Sequence, residues 1–338
     1  MKVAVCYNRV PPKLRRGEAA DRISEEGAAD EAKAVRRALR ELGHDAELIP
    51  LGSDPGKFLT ALRTAKPAAV FNLCEGFWGD SRKELHVAAL LELAGFPYSG
   101  STPLCLGLSQ DKARTKDLLV RHKLPTPPYT LVEPGTSFHA LNDLVFPLIV
   151  KPRSEDASLG ITHESIVEDT AALHARIRYV HQTYHQGALI EEFIAGREIN
   201  AAVLGNDPGE PLPPSEIIFQ PGLPRAIVSY AGKWLEQSQE YSGTVPVCPA
   251  PLDQQEAERI RDVTLKAYAL LGCRDYARVD MRLRDGIPFI LEINANPDIS
   301  PGAGLARAAA AHGLPYPVLI GRILDMTLFR KEQQRARP

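Results

Sequence analysis

Apolar residues recur along the chain with two different periods. Short, largely apolar runs at residues 3–7, 46–49 and 69–73 read as strands of a sheet. Between the first two, Ala32, Val35, Leu39 and Leu42 share one face of a helix, Arg36, Arg37 and Arg40 the other, and Gly43 stops it. A second helix fits residues 85–94 and ends at Gly95. The stretch from Pro11 to about Glu26 shows no period and reads as a polar loop. Strands alternating with helices predict an α/β unit with a mainly parallel sheet, closing near Ser99-Gly100-Ser101.

A second unit opens at Ser109, the expected cap of a helix running to about His122. Leu124-Pro125-Thr126-Pro127-Pro128 breaks that helix, because proline lacks the N–H a helix needs and biases its predecessor towards extended backbone. Strands follow at 148–151 and 188–192, with a helix at about 170–186 between them. A third unit has strands at 199–203 and 216–218, a helix at 254–271, a hairpin at 277–294 and a terminal helix; the basic tail after Phe329 reads as a frayed end. The expected division is 1–108, an N-terminal α/β substrate domain, 109–193, a central domain, and 194–338, a C-terminal catalytic domain.

Composition narrows the class. A chain of 338 residues with 44% apolar and 24% charged residues can bury the cores of two or three domains. Forty basic against 42 acidic residues leave a net charge of −2, which gives no electrostatic case for a nucleic-acid or membrane partner. The five cysteines are scattered, which excludes a disulfide framework and a sequence-local zinc site and suits a reducing cytoplasm. The apolar run after Met1 is too short for a signal peptide, and nowhere do 18 apolar residues run together. A cytoplasmic location is the expectation.

The hairpin carries the strongest chemical signal. Arg278-Val279-Asp280-Met281-Arg282-Leu283 alternates charged and apolar residues, and Phe289-Ile290-Leu291-Glu292-Ile293-Asn294 returns. A two-residue Asp285-Gly286 turn would pair Asp280 with Leu291 and mix the faces, whereas a loop centred on Gly286 pairs Asp280 with Glu292 and Arg278 with Asn294. The second register is expected. It gathers two carboxylates, an amide oxygen and a guanidinium on one face. Two carboxylates side by side repel unless a cation lies between them, and hard oxygen donors suit Mg²⁺ shared with phosphates. A solvated outer face of an ordinary hairpin is the competing reading.

Two lysines extend the pattern. Lys151 ends the run Phe146-Pro147-Leu148-Ile149-Val150, and the small, polar stretch Pro152 to Ile161 that follows could fold its N–H groups and Ser158 over a triphosphate. A surface hairpin competes with that reading; neither a Gly-x-x-x-x-Gly-Lys-Ser/Thr nor a Gly-x-Gly-x-x-Gly string is present. Lys112 opens a helix, where the macrodipole opposes a cation unless an anion is near. His163, His174, His181 and His185 lack metal spacing and read as surface residues.

In order, Gly95-Phe96-Pro97-Tyr98-Ser99-Gly100-Ser101, Asp111-Lys112 with Thr115-Lys116, Val150-Lys151-Pro152 to Ser158-Leu159-Gly160, Glu191 to Glu198, and Arg278-Val279-Asp280 with Glu292-Ile293-Asn294 resemble the ATP-grasp superfamily and, within it, the D-alanine–D-alanine ligase family. The resemblance implies an ADP-forming carboxylate–amine ligase of small amino-acid substrates, with ATP and two Mg²⁺ ions (or Mn²⁺), and a homodimer. It implies that Lys112 and Lys151 contact phosphates, that Glu191 and the Phe193 and Ile194 backbone hold adenine, and that Glu198 takes the ribose. Ser158 would cover the phosphates, Lys233 approach the γ-phosphate from a flap, Asp280, Glu292 and Asn294 bind the metals, and Arg278 stabilise the acyl oxyanion.

The chain also departs from the family pattern. The N-terminal Gly-Gly-x-Ser-x-Glu string, whose glutamate holds the first substrate's ammonium, is missing, with Glu18, Glu25 or Glu26 as substitutes. A His-Gly pair becomes Glu75-Gly76, the flap tyrosine becomes Trp234, a serine becomes Ala157, and Thr-Ser-Pro-Gly becomes Ala295-Asn296-Pro297-Asp298. ATP and metal groups persist while amino-acid-binding groups change, and Trp234, Phe77 and Trp78 are candidates to shape an acyl pocket. The expectation is a ligase with altered substrates; a true D-alanine–D-alanine ligase and a catalytically silent nucleotide-binding module are the alternatives.

Overall fold

A computed structural model describes residues 1–11, 16–18, 21–136 and 143–336, without the side chains of 24–26 and 334–336. Three parallel strands, β1 (Lys2–Asn8), β2 (Asp45–Leu51) and β3 (Ala69–Leu73), form the first sheet in the order β2-β1-β3. The helices α1 (Arg22–Glu41) and α2 (Pro55–Ala65) make its crossovers. The α2 helix starts where Asp54 accepts the N–H groups of Gly56 and Lys57 and Pro55 fixes the first turn. The short α3 (Glu84–Leu93), α4 (Pro103–Gln110) and α5 (Lys112–Arg121) lead out of this layer.

A second, antiparallel sheet joins β4 (Tyr129–Val132), β5 (Leu148–Pro152), β6 (Ile166–Val167) and β7 (Ala188–Glu192) in the order β4-β7-β5-β6, with α6 (Thr170–Tyr184) packed on it. The third sheet is built from β8 (Arg197–Leu204), β9 (Glu210–Pro211), β10 (Ser215–Phe219), β11 (Thr244–Val247), β12 (Tyr276–Arg284) and β13 (Ile287–Asn294). Between β10 and β11 a flap carries α7 (Tyr230–Trp234) and α8 (Gln239–Gly243), and α9 (Gln254–Leu271) covers the apolar face that holds Val279, Met281 and Leu283. An Asp253/Glu256 capping box starts α9 and Gly272, at φ +67°, ends it. Finally α10 (Gly304–Ala311) and α11 (Tyr316–Ala336) return to the first layer: Leu319, Ile320, Ile323 and Leu324 share a core with Val3, Val5, Val35 and Leu39.

Several expectations need correction. The α1 helix begins at Arg22, inside the stretch read as an aperiodic loop, because its early turns carry few apolar residues to betray a face. The helix expected from Ser109 is two helices, and the cap of the second is Asp111, which accepts the N–H of Arg114. The tail after Phe329 stays helical: Arg330 pairs with Asp275 and donates to the Tyr98 carbonyl at 2.9 Å, and Lys331 donates to that of Ala68. In the hairpin the two registers are reconciled rather than decided. The turn is the two-residue Asp285-Gly286, both at positive φ, and a bulge after Asp280 restores the pairs Asp280–Glu292 and Arg278–Asn294. The Glu25 and Glu26 side chains, offered as ammonium ligands, lie outside the described residues.

Candidate active site

Register puts the polar groups of the third sheet on one face. Asp280 sits opposite Asn200 of β8 and Glu292 of β13, Arg282 opposite Glu198, and Arg278 opposite Asn294. These side chains line a cleft of about 750 Å³, walled also by Lys112, Lys151, Glu191, Phe193, Ile194, Ser158 and Lys233. The residues expected to hold ATP and metal or to act on the acyl group therefore face one cavity, whereas Glu18, offered for the substrate ammonium, does not line it and accepts from the Tyr179 hydroxyl at 2.6 Å. Phe77 and Trp234 line it too, whereas Trp78 is not among the lining residues.

Arg278 grips Asp280 through two hydrogen bonds of 2.7 Å, and the amides of Asn200 and Asn294 donate to the same carboxylate at 2.7 and 2.9 Å. Glu292 meets Lys112 Nζ at 3.3 Å. Burial works against the Glu292 charge, but Lys112, Lys151 and Arg278 overcome it and hold the carboxyl at about 2. Lys112 is almost fully buried and also donates to the Glu155 carbonyl at 2.6 Å and to Asp156 at 2.9 Å, so it ties the loop after β5 to the hairpin. Its macrodipole conflict is resolved by these acids. Burial disfavours its charge, yet Asp156 and Glu292 raise its pKa above the ordinary lysine range.

Glu191 is wholly buried. Lys151 Nζ lies 2.7 Å and Lys116 Nζ 3.3 Å from its Oε1. Neither carboxylate oxygen has a well-aligned hydrogen bond among the described residues, so the pairing is by charge, with acceptor capacity left over. Burial, with Lys151 adding repulsion, lowers Lys116 to about 8 despite Glu191. Glu198 pairs with Arg282 at 2.5 Å, and burial raises its pKa although Arg282 opposes this. The Arg282 guanidinium lies over the rings of Phe193 and Phe219 at 5.4 and 5.5 Å. Arg282 had no expected role, although it lies in the same alternation as Arg278 and Asp280.

The loop after β5 is strained and held shut. Ala157 and Ser158 both adopt positive φ, 55° and 60°, which costs residues with a Cβ about 1 kcal/mol or more each. Three contacts fasten the flap over this loop: Trp234 Nε1–H donates to the Ala157 carbonyl at 2.9 Å, the Tyr230 N–H to that of Ile161 at 2.9 Å, and His163 pairs with Glu240 at 2.9 Å. His163 is thus part of an interface rather than the free surface residue expected. Glu240 also accepts from Ser229, the cap of α7, whose helix carries Lys233. Burial and Arg278 lower the Lys233 pKa. Arg16, another residue without a signal in sequence, pairs with Glu155 at 2.9 Å and Asp80 at 3.2 Å.

The donor set fits Mg²⁺ only in part from the protein. Asp280, Glu292 and Asn294 offer hard oxygens on one face, but among the described residues no three His, Cys, Asp or Glu side chains converge as a ready metal site. Most ligands would come from phosphates and water, as Mg²⁺ prefers.

An antiparallel sheet facing a second across a cleft with buried lysines, a flap and a carboxylate hairpin defines an ATP-grasp ligase, an ADP-forming enzyme that makes C–N bonds. A family model described as D-ala D-ala ligase C-terminus matches residues 118–325. An uncharacterized protein, y4sG, of Sinorhizobium fredii is 40% identical over 304 residues, covering 87% of this chain and 86% of its own. A D-alanine--D-alanine ligase of Maridesulfovibrio salexigens is 33% identical over 298 residues, 87% of this chain and 91% of its own. The crystal structure of a D-alanine--D-alanine ligase from Bacillus anthracis complexed with ATP superposes with a TM-score of 0.77 at 24% identity, covering 99% of both chains. The chain belongs to the D-alanine–D-alanine ligase family. Among the described residues no helix is long and apolar enough to cross a membrane.

Proposed function

We propose that the protein is an ATP-dependent carboxylate–amine ligase acting on amino acids or dipeptides through an acyl phosphate, with substrates other than a pair of D-alanines. The observation that carries this reading is the convergence of Arg278, Asp280, Glu292 and Asn294 on the cleft, with Lys112 reaching Glu292 from the opposite side. A carboxylate does not acylate an amine at useful rates, because oxide is a poor leaving group. Phosphorylating it makes phosphate the leaving group, and the enzyme's task becomes gathering anions, neutralising them and excluding water.

In this reading Lys112 and Lys151 hold the ATP phosphates and Ser158 with the strained loop covers them. The acceptor capacity left on Glu191 suits the adenine amino group, with the Phe193 and Ile194 backbone beside it. Glu198 takes the ribose hydroxyls. Lys233 approaches the γ-phosphate from the flap, and Arg278 stabilises the oxyanion formed when the amine attacks. Asp280, Glu292 and Asn294 would hold Mg²⁺, which supplies charge neutralisation on the triphosphate. The lobes 1–108, 109–193 and 194–338 are the proposed domains, and a cytoplasmic homodimer the proposed working form.

Phosphate release from ATP and Mg²⁺ in the presence of pooled amino acids and dipeptides tests the reading. Turnover that needs an acid and an amine other than D-alanine supports it. Strong turnover with D-alanine alone would make the protein an ordinary D-alanine–D-alanine ligase, and ATP binding with no ADP from any pool would make it a silent nucleotide-binding module.

A further inference from the structure

Around Lys233 the cleft holds more acid than ATP handling uses. Glu31, Glu75, Glu84 and Asp298 line it. The Ile299 N–H donates to Glu31 Oε1 at 2.9 Å, the Ser300 N–H to Asp298 at 2.7 Å, and the Asn296 amide to Glu84 at 3.1 Å, so three of the four are fixed in place. Glu75 is held through its backbone N–H, which donates to Asn8 Oδ1 at 2.8 Å. The cations nearby are largely committed elsewhere. Arg278 is engaged by Asp280, and Arg307 donates to the Gly302 carbonyl, which leaves Lys233 facing Asp298 and Glu75. Burial, and repulsion from Asp298 and Glu75, push the Glu31 carboxyl well above its usual range.

Two further observations point to a ligand. Asn72 is 1% exposed, and its Nδ2 has no hydrogen-bond partner among the described residues. It lines a cavity of about 10 Å³ that shares Glu31, Glu75, Glu84 and Asn296 with the cleft and is closed by Leu73, Cys74 and Tyr276. That is room for one water. A water there would accept from Asn72 and donate to two of the surrounding carboxylates, leaving its second lone pair for an N⁺–H donor in the cleft. Separately, the resemblance sets Glu75 against a histidine and Asp298 against a glycine of the family pattern, so both departures would add a carboxylate at one place.

We propose that this acidic pocket selects a substrate carrying a positive charge beyond an α-ammonium, that is, a basic amino acid or diamine. The proposal rests on the ligase reading for the identity of the site, yet binding tests it without turnover. Calorimetric titration of the whole protein with lysine and ornithine of both chiralities, against the neutral isostere norleucine, should show one basic ligand bound about 10- to 100-fold more tightly, the range of a charge-assisted contact. Asp298→Asn and Glu75→Gln should each shrink that ratio, and the family-like pair Glu75→His with Asp298→Gly should abolish it. Equal binding of norleucine, or no binding of any basic ligand, overturns the proposal. A ratio that persists in the folded variants, checked by circular dichroism, overturns it as well. Phosphate release with neutral acids and amines only would leave the ligase reading intact and remove this one.

Discussion

Replacing Lys116 by methionine should make the protein more stable and a poorer binder of ATP. Lys116 and Lys151 share the single carboxylate of Glu191, so one positive charge is in excess at a site closed to water. Lys151 is the closer partner, and Lys116 bears the cost: its pKa falls from 10.5 to about 8. At about 1.4 kcal/mol per pKa unit that drop is about 3 kcal/mol of destabilisation while the amine is charged. Methionine fills a similar volume without charge, but forfeits the 2.7 Å hydrogen bond to Thr126, worth about 1 kcal/mol. The net gain is about 2 kcal/mol at pH 7, a rise in melting temperature of about 4 °C. Between pH 8 and 10.5 the unfolded chain holds the proton that the folded one has lost, so wild-type stability rises there, the gap closes below pH 10.5, and the wild type ends about 1 kcal/mol ahead through its Thr126 bond. Thermal unfolding of both proteins at pH 7 and pH 10 reads this directly, and the KM for ATP should rise about 5-fold as the excess charge is lost. Lys151→Met, by contrast, should lose about 3 kcal/mol, because it strands a buried carboxylate beside its more distant partner. A Lys116→Met variant less stable than wild type at pH 7, or a gap independent of pH, refutes the reasoning.

Glu292→Gln should abolish ADP formation while circular dichroism stays that of the wild type. Because the folded pKa of Glu292 is about 2 against 4.5 unfolded, its charge stabilises the fold above pH 4.5, and that stability is lost as pH falls towards 2. Urea denaturation from pH 7 down to pH 3 should therefore cost the wild type more than the variant. Trp234→Phe removes the hydrogen bond that holds the flap to Ala157 and should raise the KM for ATP about 5-fold, with a melting temperature within about 1 °C of wild type.

The hairpin shows how far pattern alone reaches. Strict alternation revealed which residues share a face, and the demand that Asp280 and Glu292 do so selected the pairing the structure adopts. The bulge that makes this compatible with a tight Asp285-Gly286 turn shifts the alternation of β13 by one residue, but the shift falls within the apolar run Phe289-Ile290-Leu291, where sequence shows no change of face. The caps of α2, Asp54-Pro55, and of α4, Thr102-Pro103, are legible in sequence, whereas eight to eleven residues give too few turns for a clear helical period. Asp111 is the only residue between α4 and α5, and a one-residue break leaves the helical pattern of 109–122 continuous in sequence. Glu31 and Arg16 gain their meaning only from partners 60 or more residues away, such as Ile299 for Glu31, and local chemistry gives no hint of them.

The account stands or falls on phosphate moving to the acid before the amine attacks. With the carboxylate substrate labelled with ¹⁸O in both oxygens, mass spectrometry of the released phosphate should find one heavy oxygen per turnover. Unlabelled phosphate from a productive reaction would contradict the transfer that Lys112, Lys151 and Arg278 are positioned to support.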